Sequence, residues 1–509
     1  MNKIIITTDV HGQYTNDNFS CGSKANYGLA ILSSEINKLR DENTILIDNG
    51  DFFQGSPLMT HYFKYHQFDN PAIKALNYLN YDYYNFGNHD FNYGKDELVN
   101  FIDHINAKLI NQNISIDNYI PPLTIHTFND GMKVALIGIT TDFVKVWEQD
   151  SNLAGITIND SYQVLKDKIK EARDANVDLV IGVYHGGVEK DLETGTTYTS
   201  TSGENQGYKF CEDLDLDILF TGHEHREFVV NINDIVVTQS ANKAQSMIVL
   251  EFDQQQINSP QLIKASSLDS VDEGLNKLFS DEIKIVNEWL DQPICKVDGG
   301  DYLVKDPYLA RIYKHPLFSF INQVIMDLTN ADLSSCGLSV DATGFETQIT
   351  VRNVLATFPF SNTLQVYVTN GKVLKAYLEQ AMTFFVEDNG TIAINDTKIN
   401  PKNELYNYEM VDGINYTADI SKPLGERIIS MTKDGQAIKD SDIFTIALTN
   451  YRASGTGGYG MIKDMKFKKE LPLDFTDMFI DYLIDKQVIS VIDNDNIFLT
   501  IGGNNEESN

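Results

Sequence analysis

The sequence predicts an α/β protein of at least two domains, and three observations lead to this prediction. The chain has 509 residues, more than one hydrophobic core ordinarily serves. Residues 1–255 alternate short apolar runs with amphipathic helical patterns, as expected for sheets covered by helices. Hydrophobic residues make up 42% of the chain and charged residues 22%, which is typical of soluble globular proteins.

The elements of residues 1–255 follow from apolar runs of strand length and from helix-period patterns. The predicted strands are Ile4–Thr8, Ile45–Asp48, Val134–Ile139, Leu179–Val183, Ile218–Phe220, Ile235–Thr238 and a closing strand, Ser246–Phe252. The predicted helices between them are Gly28–Lys38, Ala72–Tyr78 and Ser161–Ala175.

The rest of the chain divides into a linker, a second domain and a tail. Residues 256–305 contain turn residues and then an amphipathic run, Leu275–Leu290, which predicts a linker with a helix. Residues 306–503 predict a second mixed α/β domain, and the polar residues 504–509 are expected to fray. The helices of the second domain are predicted at Pro316–Leu328 and Val373–Phe385, and its strands at Thr363–Val368, Ile414–Asp419 and Asp442–Leu448.

Charge and composition exclude several classes of partner. A formal net charge of −32 argues against binding polymeric nucleic acid, because phosphate backbones require a basic surface. No apolar run approaches the roughly 18 residues of a membrane span, and nothing indicates an obligate protein partner. The start, Met1–Ile6, is too quickly polar for a secretory signal, so we expect a cytoplasmic protein unless a signal was removed before residue 1. The four cysteines are scattered and predict free thiols.

Five segments place metal-ligand side chains where a predicted strand ends. Each alone is more often an ordinary turn, but together they hold five of the ten histidines. Ligands bind just outside the carboxyl ends of strands in such sheets, so the set predicts a metal site. The segments are Thr8-Asp9-Val10-His11-Gly12, Asn49-Gly50-Asp51-Phe52, Phe86-Gly87-Asn88-His89-Asp90, Tyr184-His185-Gly186-Gly187 and Thr221-Gly222-His223-Glu224-His225.

This ordered series, Asp-x-His, Gly-Asp, Gly-Asn-His-Asp, His and Gly-His-x-His, resembles the calcineurin-like metallophosphoesterase superfamily. The resemblance implies an N-terminal αββα sandwich that holds two divalent metal ions. It also implies seven ligands: Asp9, His11 and His225 for the first metal, Asn88, His185 and His223 for the second, and Asp51 bridging both.

The implied ligand set is chemically consistent with a phosphohydrolase. Two cations roughly 3.5–4 Å apart need a shared anion, which Asp51 can supply, and water activated by such a pair attacks phosphorus in line. Mixed nitrogen and oxygen ligands suit zinc or manganese, with iron and cobalt as alternatives, better than calcium. His89 follows the ligand Asn88, so its side chain should point toward substrate and stabilise the transition state or protonate the leaving group. Asp90 either orients a neighbouring group or caps a turn.

Two tyrosine-containing segments, Tyr406–Tyr416 and Leu448–Tyr459, mark the C-terminal half. Tyrosines beside glycine-rich backbone suit stacking on a nucleobase, although tyrosines packed in a core are the alternative interpretation. The segments resemble the C-terminal nucleotidase domain of the bacterial 5′-nucleotidase family, closest to its 2′,3′-cyclic-nucleotide 2′-phosphodiesterase/3′-nucleotidase branch.

That resemblance implies substrate-binding roles for four parts of the chain. Tyr408 and Tyr451 are implied to clamp the base, with Asn450 and the Ser454–Gly458 loop near the nucleoside. The helical linker is implied to act as a hinge between the domains.

Two departures from the 5′-nucleotidase branch favour the cyclic-phosphodiesterase branch. Asn92 stands where 5′-nucleotidases carry an Asp, and an amide is no carboxylate partner for His89. Gly457 also replaces an Asp of that branch. No phosphate-binding arginine is carried over, and Arg352 and Arg452 are either candidates for that role or structural.

The leading functional prediction is hydrolysis of a small nucleotide, either a 2′,3′-cyclic nucleotide or a 3′-nucleotide. A 5′-nucleotidase or nucleotide-sugar hydrolase is the alternative within the same class. A non-catalytic nucleotide or metal sensor is the alternative from another class. A sensor is expected to have lost a ligand or His89, whereas every expected position here holds a competent side chain.

Overall fold

The computed structural model describes residues 1–192, 194–196, 203–358, 362–400, 403–471, 474–492, 494–502 and 504–505. The chain forms two compact units, an N-terminal unit, Met1–Asn287, and a C-terminal unit, Glu288–Asn509. The predicted bounds of linker and domains stay a prediction, and tail residues 506–509 lie outside the described residues.

The N-terminal unit contains two six-stranded mixed sheets. The first has the spatial order Gln261–Lys264, Ser246–Phe252, Asn2–Thr7, Thr44–Asp48, Tyr83–Tyr84 and Lys108–Leu109. The second has the order Phe228–Ile232, Ile235–Gln239, Ile218–Phe220, Leu179–His185, Lys133–Thr140 and Thr124–Thr127. The described residues of this unit also form two short strand pairs, Asp17–Asn18 with Ser23–Lys24 and Ile114–Ile116 with Ile156–Ile158.

The two sheets pack face to face because every second side chain of their central strands is apolar and points inward. Ile4 and Ile47 of the first sheet share one buried cluster with Leu136 and Ile181 of the second. The outer face of the second sheet forms another cluster that includes Leu165 of a covering helix. This layering confirms the predicted α/β fold class for the unit.

Helices of the N-terminal unit begin at side chains that cap their free backbone amides. Ser56 accepts from the amide of Met59, and Asp160 accepts from that of Gln163. The helices are Leu29–Leu39, Pro57–Tyr65, Pro71–Tyr78, Gly94–His104, Val144–Trp147, Ser161–Asp174, Gly207–Asp213, Glu273–Leu278 and Ser280–Leu290, the last of which runs past residue 287. Short 3-10 helices form at His89–Phe91 and Ala265–Ser267.

The C-terminal unit is also mixed α/β. One five-stranded sheet has the order Met410–Asp412, Leu333–Cys336, Ile443–Thr449, Leu364–Asn370 and Lys466–Glu470. A second has the order Gln436–Ala437, Ile428–Lys433, Asn415–Asp419, Ile497–Ile501 and Asn504–Asn505. Smaller sheets join Gln348–Thr350, Pro293–Asp298 and Val488–Ser490, and Phe385–Asp388 with Thr391–Ile394. Its helices are Leu309–Ile312, Pro316–Thr329, Val351–Thr357, Gly371–Ala381, Asn450–Ala453 and Phe475–Lys486, and its 3-10 helices are Met382–Phe384, Asp396–Lys398, Leu405–Asn407, Thr456–Gly458 and Gly460–Asp464.

The stretch predicted as a linker contains more regular structure than expected. Gln261–Lys264 pairs antiparallel with Ser246–Phe252 and forms the edge of the first sheet, so Ser246–Phe252 is not the last strand. The amphipathic run Leu275–Leu290 is two helices separated at Phe279. Across the described residues, no helix combines the length and hydropathy that crossing a membrane requires.

Candidate metal centre

The predicted ligands converge because their strands end at the same edge of the two sheets. Five of them have left-handed backbone, with φ values of 54°, 51°, 56°, 73° and 57°. This conformation is costly for residues other than glycine and collects at functional sites. Hydrogen bonds between neighbouring loops hold it in place, including Asp9 N to Gly50 O at 2.9 Å and His11 N to Asp51 O at 2.8 Å. The five residues are Asp9, His11, Asp51, His223 and His225.

Asp9, His11 and His225 form one candidate cluster, with their ligand atoms within 4.8 Å of one another. The Nε2 atoms of His11 and His225 lie 3.0 Å apart. Oδ1 of Asp9 is 3.9 Å from Nε2 of His11 and 3.5 Å from Nε2 of His225. These are the three residues assigned to the first metal by resemblance.

Asp51, His185 and His223 form the second candidate cluster. Nδ1 of His223 lies 2.8 Å from Oδ1 of Asn88, which adds the amide oxygen expected of a fourth ligand. Oδ2 of Asp51 is 3.1 Å from Nε2 of His185 and 3.9 Å from Nε2 of His11, which belongs to the first cluster. Asp51 therefore occupies the position between the clusters that a bridging carboxylate needs.

Two buried donor atoms show that the site fits a cation. Apart from their mutual contact of 3.1 Å, Oδ2 of Asp51 and Nε2 of His185 have no hydrogen-bond partner within the described part of the chain, although both residues are almost fully buried. Buried polar atoms in native proteins are normally paired, and a metal ion is one of the groups that satisfies such atoms. The structure therefore favours a dinuclear metal centre at these residues.

In two of the four ligand histidines, His11 and His185, a hydrogen bond from Nδ1 to a backbone carbonyl directs Nε2 into the centre. Nδ1 of His11 donates to the carbonyl of Gln54 at 2.7 Å, and Nδ1 of His185 donates to that of Asn49 at 2.6 Å. Because a carbonyl only accepts, each ring keeps the lone pair of Nε2 for a cation.

The remaining two imidazoles have side-chain partners. Nε2 of His223 donates to Oε1 of Glu204 at 2.8 Å, which leaves Nδ1 facing Asn88. Nδ1 of His225 lies 3.1 Å from the amide of Asn242. Glu204, Asn242 and Trp147, whose ring stacks on His223 at 5.3 Å, were not predicted, because no local motif marks them.

Burial and neighbouring charges set the protonation states of the ligands. Burial, followed by the influence of His225, lowers the pKa of His11 to about 3, so its ring is neutral. Burial alone would raise the pKa of Asp51, but His185 and His89 hold it well below the usual range. Burial would likewise lower the pKa of His185, but Asp51 and Asp9 raise it to about 10, so without a cation Nε2 of His185 holds a proton that a bound metal ion would displace.

Glycines beside the ligands allow the loops to approach closely. A Cβ on Gly50 would lie 2.0 Å from the backbone nitrogen of Gly87, and Gly50 has a φ of 88°. A Cβ on Gly87 would lie 2.1 Å from Oδ1 of Asp51. A side chain at Gly87 would therefore displace the central carboxylate, and one at Gly50 would push the two loops apart.

His89 and Asp90 lie beside the centre with different roles. The backbone amide of His89 donates to Oδ1 of Asp51 at 2.7 Å, and its ring centroid lies 5.6 Å from that of His11. Asp90 is buried and accepts from the backbone amides of Asp51, Phe52 and Gly87 at 3.2, 3.1 and 2.8 Å. Asp90 thus fastens the two loops that carry Asp51 and Asn88.

The two tyrosines of the predicted clamp in the C-terminal unit differ in exposure. Tyr408 is 0% exposed, and its ring packs against Phe384 and Phe385 at 5.7 and 5.0 Å. This placement disagrees with the predicted stacking role, because a base needs an open ring face. Tyr408 instead has the core packing that was the alternative interpretation.

Tyr451 and Asn450 lie together at the start of a short helix, and both are partly exposed. The hydroxyl of Tyr451 donates to Oδ1 of Asn407 at 3.3 Å, while Oδ1 of Asn450 accepts from the amide of Thr363 at 3.0 Å. Tyr451 therefore keeps the exposure that stacking requires, and substrate binding by both residues stays a prediction.

The two arginines have structural partners. Arg452 is 1% exposed and donates to Oε1 of Glu409 at 2.9 Å and to Oδ1 of Asn407 at 3.0 Å. Together with Asn407 it leaves no room for a side chain on Gly457. Arg352 forms an ion pair of 2.7 Å with Asp291. Both placements favour the structural interpretation over phosphate binding.

The fold and the site define a two-domain α/β protein with a candidate dinuclear metal centre. Residues 2–227 match the model of the calcineurin-like phosphoesterase family, and residues 302–464 match that of the 5′-nucleotidase C-terminal domain. The chain combines these two domains and is a phosphoric ester hydrolase. These matches confirm the family resemblance of both halves. Calcineurin-like phosphoesterases use a dinuclear divalent metal centre, and the two clusters are its candidate ligands.

Several known proteins are similar along most of the chain. A Bacillus subtilis protein named trifunctional nucleotide phosphoesterase YfkN is 24% identical over 96% of this chain, which spans 38% of that protein. A Salmonella typhimurium 2′,3′-cyclic-nucleotide 2′-phosphodiesterase/3′-nucleotidase is 26% identical over 89% of this chain and 81% of its own. A crystal structure of a Staphylococcus aureus protein, provisionally assigned as a 5′-nucleotidase and bound to alpha-ketoglutarate, superposes with a TM-score of 0.87 at 28% identity, covering 98% of this chain and 99% of that one.

Proposed function

We propose that this chain hydrolyses 2′,3′-cyclic nucleotides to 3′-nucleotides and then 3′-nucleotides to nucleosides. The observation that carries the proposal is the junction of the two clusters, where Oδ2 of Asp51 lies 3.1 Å from Nε2 of His185 and 3.9 Å from that of His11. The names of the Salmonella typhimurium and Haemophilus influenzae relatives support this choice of substrate.

The ligands would hold two divalent cations, zinc or manganese, with iron and cobalt as alternatives. When bound, such a pair polarises the phosphoryl group and makes water a stronger nucleophile near neutral pH. Asp51 fixes the position of one site relative to the other, because its carboxylate lies near histidines of both clusters. His89, beside Asp51, donates a proton to the leaving oxygen.

Both steps add water across a phosphorus–oxygen bond. In the first, the bond from phosphorus to O2′ breaks, O2′ takes up a proton and the phosphate stays on O3′. In the second, the bond to O3′ breaks and releases inorganic phosphate. Tyr451, which is partly exposed, offers a ring on which the base stacks.

The experiment compares hydrolysis of 2′,3′-cyclic AMP, 3′-AMP and 5′-AMP by protein whose metal content is measured by elemental analysis. We expect two ions per chain and turnover of the first two substrates. Asp51→Ala is expected to lose activity and to bind less of both ions, whereas Asp51→Asn retains the size of the side chain and tests its charge.

A preference for 5′-AMP would instead support a 5′-nucleotidase, the activity named for the Staphylococcus aureus structure. Tight nucleotide binding without release of phosphate would support a sensor. Full activity of Asp51→Ala would contradict the bridging role.

A further inference from the structure

The side chain of Asn92 connects His89 to an acidic residue that is distant in sequence. Nδ1 of His89 lies 2.8 Å from Oδ1 of Asn92, and Nδ2 of Asn92 donates to Oε2 of Glu148 at 2.7 Å. The second oxygen of Glu148 accepts from the amide of Gln149 and from Nδ2 of Asn152, both at 2.8 Å. Nδ2 of Asn152 also donates to the carbonyl of Asn92 at 2.9 Å. Hydrogen bonds to one oxygen of Glu148 thus fix the side chain so that its other oxygen faces Asn92.

These contacts determine which nitrogen of His89 carries a proton. A carboxylate only accepts hydrogen bonds, so Glu148 requires the NH₂ end of Asn92 to face it. The oxygen of the amide then faces His89 and requires a proton on Nδ1. Nε2 is left to take up a proton, released as water adds to phosphorus, and to pass it to the leaving oxygen.

The segment that carries Glu148 also supports the metal centre. Trp147, its neighbour in sequence, stacks on the ring of His223 at 5.3 Å with an angle of 24° between the planes. One short stretch of chain therefore contacts a candidate ligand and, through Asn92, the ring of His89. Such a placement ties the orientation of His89 to that of the ligands.

We propose that Asn92 and Glu148 are positioning residues that together take the place of the Asp that the 5′-nucleotidase branch carries at position 92. We call the hydrogen-bonded series of His89, Asn92 and Glu148 the relay. The amide of Asn92 extends the reach of a carboxylate that is too far away to contact the ring directly. The relay fixes the tautomer of His89 in which Nε2 faces the leaving oxygen, and this inference rests on the proposed function.

The test uses variants that exchange the charge along the relay. In Glu148→Gln, the new amide oxygen should face the two donors behind it, the backbone amide of Gln149 and Nδ2 of Asn152, because the reverse orientation would set an NH₂ group against both. The new NH₂ group then faces that of Asn92, and the relay breaks. In the double variant Asn92→Asp with Glu148→Gln, the new carboxylate accepts from both His89 and the Gln amide, which restores every hydrogen bond. Glu171→Gln, at an ion pair with Lys168 on a distant helix, is the matched control.

Each variant is assayed on p-nitrophenyl phosphate, which has a good leaving group, and on 3′-AMP, whose alkoxide leaving group requires a proton. We expect Glu148→Gln to lower kcat on 3′-AMP about 10-fold, the smaller end of the range for groups that orient a catalytic side chain. KM and the activity on p-nitrophenyl phosphate should change little. The double variant should recover activity on 3′-AMP, since its relay is complete.

A second measurement reads the tautomer directly. Nitrogen-15 spectra of histidine-labelled, metal-loaded protein, assigned with His89→Ala, should show Nδ1 protonated in the wild type and a mixture in Glu148→Gln. Equal losses on both substrates, or an unchanged tautomer in Glu148→Gln, would overturn the relay. If the wild type hydrolyses no phosphate ester, the proposed function fails, while the spectra still decide whether the relay exists.

Discussion

Replacing Gly87 by Ala tests the geometry of the metal centre with a single methyl group. The new Cβ would lie 2.1 Å from Oδ1 and 2.2 Å from the backbone nitrogen of Asp51. Gly87 has no positive φ, so the substitution acts by contact alone. Because real Cβ atoms essentially never come within 3.0 Å of such atoms, Asp51 must move by about 0.9 Å.

A displacement of this size is large for a catalytic centre. A misplacement of about 1 Å costs on the order of 100-fold in rate, and overpacking costs about 1–3 kcal/mol of stability. The shift would also weaken the hydrogen bond of 2.7 Å from the amide of His89 to Oδ1 of Asp51. We therefore expect Gly87→Ala to fold, to bind less metal and to lose about 100-fold in kcat/KM on 3′-AMP.

The assay combines release of phosphate, elemental analysis and thermal unfolding. Gly460→Ala is the matched control, because a Cβ there meets no atom within 4 Å and its φ is not positive. Wild-type activity and metal content in Gly87→Ala would refute the argument, since they would mean that the Asp51 loop adapts without cost.

Three further predictions concern other parts of the chain. Tyr451→Ala should weaken nucleotide binding by about 1–3 kcal/mol, and Tyr451→Phe, which keeps the ring, should bind like the wild type. Tyr408→Ala should instead lower the melting temperature, because Tyr408 lies in a buried ring cluster. Equal kinetic losses in both alanine variants would contradict this difference. Arg452→Ala leaves Glu409 buried and unpaired, so thermal unfolding should show a loss of about 3–5 kcal/mol, and an unchanged melting temperature would contradict it. Only Cys21 is exposed, so a thiol reagent at pH 8 should modify one site in native protein and none in Cys21→Ser. Burial raises the pKa of Cys211 to about 12, and those of Cys295 and Cys336 are also raised, so rapid reaction of a second thiol would contradict the structure.

The metal ligands could be predicted from the sequence because their signal is local. Each lies at the end of an apolar strand and beside glycine or another ligand type, so the motif and the strand appear together in one short segment. The folded chain brings Asp9 and His225 to within 3.5 Å, as the series of motifs implied. The sequence could equally predict the strands, since their apolar patterns persist in the two packed sheets.

What could not be predicted depends on contacts between distant residues. Glu148 and Glu204 stand in segments without a motif, and only the folded chain brings them to Asn92 and His223. The burial of Tyr408 depends on rings more than 20 positions away, which a composition-based argument cannot see. The four-residue strand Gln261–Lys264 has too short an apolar pattern to be recognised without its partner strand.

Because five ligands have left-handed backbone, selection for catalysis and selection for heat resistance favour different residues at these positions. At roughly 1–2 kcal/mol for each such residue, the five together cost about 5–10 kcal/mol, which is similar to the net stability of a whole domain. Glycine would remove that penalty at any of them, together with the ligand. A library screened only for survival at high temperature should therefore accumulate glycine at His11 or His223 and yield a sturdier, inert protein.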